Sequence, residues 1–152
     1  MIKHLLRLSC VCIVFACCSN PSEAPKETTT VSAVPSGNTH CYLYNDSSNI
    51  ISLRATFQND SISGALTYDI DQKDKNSGTI VGVVQGDLLV ADYTFVSEGK
   101  SSVRQVVFKK TGSTLTGGVG EMVEKNGKMV FKDMGKLDFA HAIVLTETDC
   151  NK

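Results

Sequence analysis

The stretch that decides the fold is GTIVGVVQGDLLVADYTFVSEGKSSVRQVVF, residues 78–108. Short runs of β-branched and aromatic residues alternate in it with tight polar turns at 85–87 and 98–101. Turn residues between such runs are the strongest local signal of antiparallel β-hairpins. The stretch therefore predicts three consecutive strands, at residues 79–84, 88–96 and 103–109.

The same strand pattern continues on both sides of this stretch. Apolar Ile51, Leu53, Ala55 and Phe57 alternate with polar residues, as in a strand with one face towards a core. Within the strand predicted at 62–70, glycine favours a bulge or a close approach of backbones. The glycine-rich run STLTGGVG at 113–120 predicts a strongly curved strand, and the Asn-Gly pair at 126–127 predicts a type I′ hairpin.

About nine short strands at 8–12-residue spacing result, with no convincing amphipathic helix. Spacing of this kind is typical of a β-sandwich or an up-and-down barrel. Most connections look like tight hairpins, which favours a meander over a Greek-key sandwich. We predict an all-β domain over residues 40–152: a small antiparallel β-barrel or barrel-like meander, lipocalin-like in shape.

The first 39 residues have a different composition. Residues 1–16 have a short basic start followed by an apolar run too short to span a bilayer, the layout of a secretory signal peptide. Residues 17–39 contain all three prolines and many Ser and Thr residues, which predicts a flexible tether. Signal removal would take away Lys3 and Arg7 and no acidic residue.

The end of the signal segment, VFAC at 14–17, resembles the bacterial lipobox. The resemblance implies that Cys17 becomes the N-terminus and carries acyl chains such as palmitate, which would anchor the protein durably in a membrane. Phe15 departs from the usual small residue, and Cys18 is an alternative acceptor. By analogy with enteric bacteria, the absence of aspartate after Cys17 favours the outer membrane. The alternatives are an ordinary signal peptide or an uncleaved anchor.

Two of the six cysteines, Cys41 and Cys150, bracket the predicted β domain. An exported protein meets an oxidising compartment, where such a pair can form a disulfide. The chain-entropy model assigns a loop of about 110 residues on the order of 4–5 kcal/mol. The alternative is two free thiols at the domain ends.

Composition and motifs exclude several classes of function. The formal net charge is -1, which does not favour nucleic-acid binding. His40 and His141 have no metal-ligand partner at a recognisable spacing, and the acids at 69, 71 and 74 do not match a calcium loop. No nucleotide-binding or hydrolase motif occurs. We therefore predict no metal, no cofactor and no enzymatic activity.

The most suggestive cluster for binding is Arg104 with Glu98 and Tyr93. A two-residue loop at 99–100 would place Phe95 opposite Arg104 and direct the guanidinium towards the interior near the rim. An unpaired buried charge is costly, so the guanidinium needs anionic partners. It could receive an anionic group of a ligand at a barrel mouth. The alternatives are an internal pair with Glu98 or Asp92, or a register that puts Arg104 in water.

Several segments together resemble a group of uncharacterised Bacteroidetes lipoproteins. The likeness covers approximately residues 41–150 and includes the lipobox; it is carried by QKDKNSGT (72–79), GDLL (86–89), ADYTF (91–95), SEG (97–99) and SVRQV (102–106). The resemblance implies location and domain extent, and no activity. The sequence leaves open a binding module for a small apolar or amphipathic ligand and a structural or protein-interaction module with a filled barrel.

Overall fold

The computed structural model describes residues 37–151, which form ten β-strands and one short 3₁₀-helix. No α-helix occurs in this range, and no helix in it could cross a membrane. The all-β prediction is confirmed, with ten strands in place of about nine. The strands are β1 Asn38–Asn45, β2 Ile50–Gln58, β3 Ser61–Asp69, β4 Asn76–Gln85, β5 Leu88–Ser97, β6 Lys100–Thr111, β7 Thr114–Gly117, β8 Met122–Lys125, β9 Lys128–Phe131 and β10 Val144–Thr148. The 3₁₀-helix is Met134–Lys136.

Eight of the strands close into an antiparallel barrel. β1 to β7 follow one another as a meander, β7 pairs with β10, and β10 pairs with β1. β8 and β9 form a hairpin outside the barrel, attached to β6 by one parallel pair, Arg104 with Met129. The predicted barrel is therefore confirmed, and its only long connection is the excursion between β7 and β10 that carries this hairpin.

The two ends of the barrel differ in which strand ends they gather. β1 starts at one end, together with the end of β2 and the start of β3. The other end, which we call the distal mouth, is formed by the end of β3, the start of β4, the end of β5 and the start of β6. The chain thus enters the barrel at the end opposite to the distal mouth.

The middle of the barrel is filled by one hydrophobic core. The apolar residues predicted to face inwards on β2 lie there, as do Leu89, Ala91 and Tyr93 of β5. Burying side chains of this size contributes about 1.5–3 kcal/mol each for the larger ones. The buried members of the core are Tyr42, Ile51, Leu53, Ala55, Ile62, Leu66, Ile80, Leu89, Ala91, Tyr93, Val106, Phe108, Leu115 and Leu145.

Three inward-facing glycines allow neighbouring strands to approach closely. A Cβ at Gly64, Gly78 or Gly82 would lie 2.0 Å from a carbonyl oxygen of the adjacent strand. That distance is impossible for a real side chain, so these positions require glycine while the backbone keeps its path. The close approach predicted for glycine in β3 is confirmed, and β4 contains two glycines with the same close approach.

The start and the end of the domain are joined covalently. Cys41 on β1 and Cys150 form a disulfide, with their sulfur atoms 2.11 Å apart, as predicted. β1 begins at Asn38, two residues before the predicted domain start, and the hydroxyl oxygens of Thr39 and Thr56 lie 2.9 Å apart. Cys17, the signal segment 1–16 and most of the tether lie outside the described residues.

Hydrogen bonds tie two loops together at the distal mouth. The carboxylate of Asp46 accepts from the side chain and backbone N–H of Asn49 and from the hydroxyl of Tyr44. These hydrogen bonds lower the pKa of Asp46 to about 2, and the side-chain amide of Asn49 has the largest effect. Asn49 in turn accepts from the backbone N–H of Asp71, 3.1 Å away, in the β3–β4 loop. The rim of this mouth is therefore held by more than the strand ladders.

Substitution of a close-approach glycine tests how the barrel curves. A methyl group at position 82 would meet backbone atoms of Val90 and Ala91, so β4 and β5 would have to separate. We expect Gly82→Ala to lower the free energy of unfolding by roughly 1–3 kcal/mol in urea denaturation, as overpacking does. Gly117→Ala is the control, because its Cβ would make ordinary contacts at 3.7 Å or more. Equal stability of the two variants would contradict this account.

Candidate functional site: a cleft at the distal mouth

A cleft of about 400 Å³ lies at the distal mouth. It occurs where β7 ends at Gly117 while its neighbour β6 continues to the rim. Beyond Gly117 the chain leaves the barrel, so β6 lacks a full-length partner on that side. The cleft occupies this seam between β6, the end of β3 and the segment that follows β7.

Apolar and polar residues line different parts of the cleft. Its apolar lining comes from four parts of the chain: Tyr68 and Ile70 near the end of β3, Val106, Val107 and Phe108 of β6, Val119 after β7, and Met122 and Phe131 of the outer hairpin. The polar groups come from Lys73, Asp74, Asn76, Arg104 and Gln105. The cleft can therefore receive a molecule with both an apolar and a polar part.

The outer hairpin is fixed against β5 and β6 by polar contacts. The side-chain oxygen of Gln105 accepts a hydrogen bond from the backbone N–H of Phe131 at 3.0 Å. Lys128 and Asp92 form an ion pair with a nitrogen–oxygen distance of 2.6 Å. Val106 and Phe108 face the core, so Val107 between them faces outwards. Val107 is nevertheless only 2% exposed. The hairpin and the segment around it thus build a second layer that forms one wall of the cleft.

The structure corrects the predicted register of β5 and β6. Tyr93, not Phe95, lies opposite Arg104, and the last pair before the turn is Ser97 with Lys100. The turn is at Glu98 and Gly99, whose φ angles of 51° and 74° fit a two-residue hairpin loop, and not at 99–100. The predicted register is wrong by two residues. A shift of two keeps each side chain on its face, so Arg104 still faces inwards.

Arg104 lies in the cleft without a carboxylate partner among residues 37–151. Its guanidinium carbon is 5.4 Å from the centre of the Phe95 ring, a cation–π contact. Neither of the two predicted internal pairs forms: Asp92 binds Lys128, and Glu98 is exposed at the turn. The third alternative is also wrong, because Arg104 is partly buried rather than in open water.

Tyr93 lies in the core, where it supports the aromatic ring that contacts Arg104. Its ring stacks on Phe95 at 4.8 Å and meets Tyr68 edge-on at 5.8 Å between centroids. The pKa of Tyr93 is raised to about 12, mainly by burial and to a smaller extent by the nearby Tyr68. The positive charge of Arg104 acts in the opposite direction and lowers this pKa. The buried hydroxyl of Tyr93 has no hydrogen-bond partner in the described part of the chain.

The three residues of the predicted binding site therefore do not lie together in the structure. Arg104 lines the cleft, Tyr93 is buried beside it, and Glu98 does not line it. The sequence reasoning missed Asn76, whose side-chain oxygen is buried and lacks a donor among the described residues. The signal was available: Asn76 has the same alternation phase as the inward-facing Gly78 and Ile80. The predicted strands at 62–70 and 79–84 instead left Asn76 in the connection between them.

No metal centre is present in residues 37–151, which contain no group of three or more His, Cys, Asp or Glu side chains able to hold an ion. The Nδ1 atom of His40 contacts the carboxylate of Glu147, and its ring meets the ring of Phe57 edge-on at 5.6 Å. His141 pairs with Asp138 at 2.8 Å. Both histidines thus have acidic partners outside the cleft.

Tyr93→Phe tests the cost of the buried hydroxyl. The raised pKa stabilises the folded state below the unfolded value of 10.0, and this contribution is lost as the pH rises towards about 12. We expect the variant to lose less stability between pH 10 and 12 than the wild type. At pH 7 it should be as stable as the wild type or more stable by roughly 1 kcal/mol, because no hydrogen bond is lost.

Urea denaturation at a series of pH values measures both effects. Part of the alkaline loss should remain in the variant, since burial also raises the pKa of Tyr42. A destabilisation at pH 7 of the size expected for a broken buried hydrogen bond would show that the Tyr93 hydroxyl has a partner.

No protein-family model, no curated protein and no solved structure matches this chain. The chemistry of the distal cleft is therefore the basis for assigning a function.

Proposed function

We propose that this protein is a lipid-anchored protein of the bacterial cell envelope that binds a small amphipathic ligand in the distal cleft. The observation that carries the proposal is the cleft itself: about 400 Å³, with apolar walls and a cation. Ligand sites in proteins are concave, mostly apolar, and have a few placed polar groups within about 300–1,000 Å³. In this proposal the domain binds its ligand and does not act as an enzyme.

The filled middle of the barrel restricts where a ligand can bind. Fourteen buried side chains occupy the interior, so a ligand would bind at the mouth and not along the barrel axis. A mouth site gives a molecule direct access from solvent. It also places the ligand at the end opposite to the start of β1, where the chain leading from the proposed anchor enters.

The proposed anchor is Cys17, and the proposed location is the outer membrane. Both rest on the sequence: the lipobox-like VFAC at 14–17, the polar segment after it, and the likeness to uncharacterised Bacteroidetes lipoproteins. The Cys41–Cys150 disulfide is compatible with this location, because such bonds persist in oxidising compartments.

A structural or protein-interaction role is the second candidate, and the outer surface of β4 and β5 favours it. Val81 is 66% exposed and Val96 is 61% exposed, and Val83 is also exposed. Exposed apolar side chains grouped on one face are a feature of protein contacts. Under this alternative the distal cleft would bind no small molecule.

Binding of N-phenyl-1-naphthylamine, a neutral apolar fluorophore, tests the cleft. We expect saturable binding by the wild-type domain, weakened at least about tenfold in Val119→Arg, because a long charged side chain would enter an apolar site. Val119 lines the cleft and is 57% exposed, so the substitution should not disturb the core.

Val96→Arg is the matched control, since Val96 is equally exposed but does not line the cleft. It should bind the fluorophore like the wild type. Absence of saturable binding by the wild type, or equal loss in both variants, would overturn the proposed function and favour the interaction module.

Metabolic labelling with palmitate tests the anchor. The wild-type protein should be labelled and should sediment with outer membranes, whereas Cys17→Ser should lose the label and the association, because the acylated thiol is missing. Cys18→Ser is the control and should keep both properties. Label retained in Cys17→Ser would contradict the assignment of the anchor.

A further inference from the structure

The charged groups of the distal cleft indicate the chemistry of the polar end of the ligand. We propose that Arg104 binds a single carboxylate, so that the ligand is a carboxylate-headed amphipath such as a medium-chain fatty acid. This inference rests on the proposed function, because it assumes that the cleft binds an amphipathic molecule.

The first argument is that Arg104 differs from other partly desolvated cations of the domain. Lys128, whose side chain is 38% exposed, has its carboxylate partner 2.6 Å away. Arg104 is also partly buried, but none of the described residues forms an ion pair with it or accepts a hydrogen bond from its guanidinium. A cation moved out of water without a partner is costly. An anionic ligand would offset that cost.

The second argument is that the guanidinium is already placed for a ligand. Phe95 lies under it at 5.4 Å, and Phe95 is itself stacked on the buried ring of Tyr93. The contact limits the freedom of the Arg104 side chain, so less conformational entropy is lost when a ligand binds. The planar group retains its fork of donors, which matches the two oxygens of a carboxylate.

The third argument concerns the charge that the cleft can balance. Lys73 and Asp74 at the rim carry opposite charges, and Arg104 adds one positive charge to the lining. The formal charge of the titratable lining groups is therefore +1, since tyrosine is neutral at pH 7. A monoanion neutralises it, whereas a phosphate dianion would leave an excess negative charge beside Asp74. The apolar walls then receive the hydrocarbon tail.

Displacement of N-phenyl-1-naphthylamine by two ligands of equal chain length tests the inference. We expect dodecanoate to bind the wild type about 10- to 100-fold more tightly than dodecan-1-ol, the usual range for a charge-assisted hydrogen bond. Arg104→Gln should remove most of this preference, so that the ratio of the affinities for dodecanoate and dodecan-1-ol falls towards one. Arg104→Lys should keep part of the preference, because it retains the charge and loses the fork.

Arg54→Gln is the matched control, since Arg54 is exposed on β2 and does not line the distal cleft. It should keep the preference in full. If Arg104→Gln fails to fold, the wild type still decides: the preference for dodecanoate should shrink as salt is raised, since screening weakens a partly exposed ion pair.

The possible results separate the inference from the proposed function. Equal affinity of the wild type for dodecanoate and dodecan-1-ol would overturn the carboxylate assignment while leaving a ligand-binding cleft. A preference that Arg104→Gln retains would show that another group binds the carboxylate, and would also overturn the assignment. Failure of the fluorophore, dodecanoate and dodecan-1-ol to bind the wild type would overturn both proposals.

Discussion

The close approach of neighbouring backbones inside the barrel is the constraint on which the rest of the structure depends. Eight short strands must bend to close, and inward side chains would crowd on the concave face if all were large. Gly64, Gly78 and Gly82 remove the side chain at three such points, with carbonyl oxygens of the next strand 2.0 Å from where a Cβ would be. Because neighbouring strands lie so close together, the apolar side chains fill the middle of the barrel. Fourteen of them are buried there.

That filled middle explains why the candidate site lies at a mouth. The barrel has a four-residue strand, β7, beside the twelve-residue β6, and the unequal lengths open a seam on one side. The outer hairpin then covers part of the exposed face of β6 and brings Phe131 and Met122 to the cleft. The cleft therefore results from strand length and topology, and it needs no channel through the core.

The sequence predicted the parts of the fold that follow from local alternation and turn chemistry. The barrel, the inward face of β2, the disulfide and the inward direction of Arg104 were predicted in this way. The register of β5 and β6 was not predicted correctly, because Glu98 has a left-handed backbone conformation that is unusual for glutamate. The β8–β9 hairpin was predicted from Asn126 and Gly127, but its position outside the barrel was not. Its attachment depends on Gln105 and Lys128, whose partners are distant in sequence. Asn76 was missed because the strand was predicted to begin at residue 79, whereas β4 begins at Asn76.

Arg104 could have a purely structural role, and the energies argue against that. Its described stabilising contact is with the ring of Phe95, which contributes about 0.5–1 kcal/mol at an exposed site and about 2 kcal/mol when desolvated. The partial removal of the guanidinium from water opposes this gain. A methionine at this position could pack on Phe95 without that penalty. Without an anion, the guanidinium of Arg104 thus adds little to the stability of the fold. It becomes favourable when a carboxylate binds.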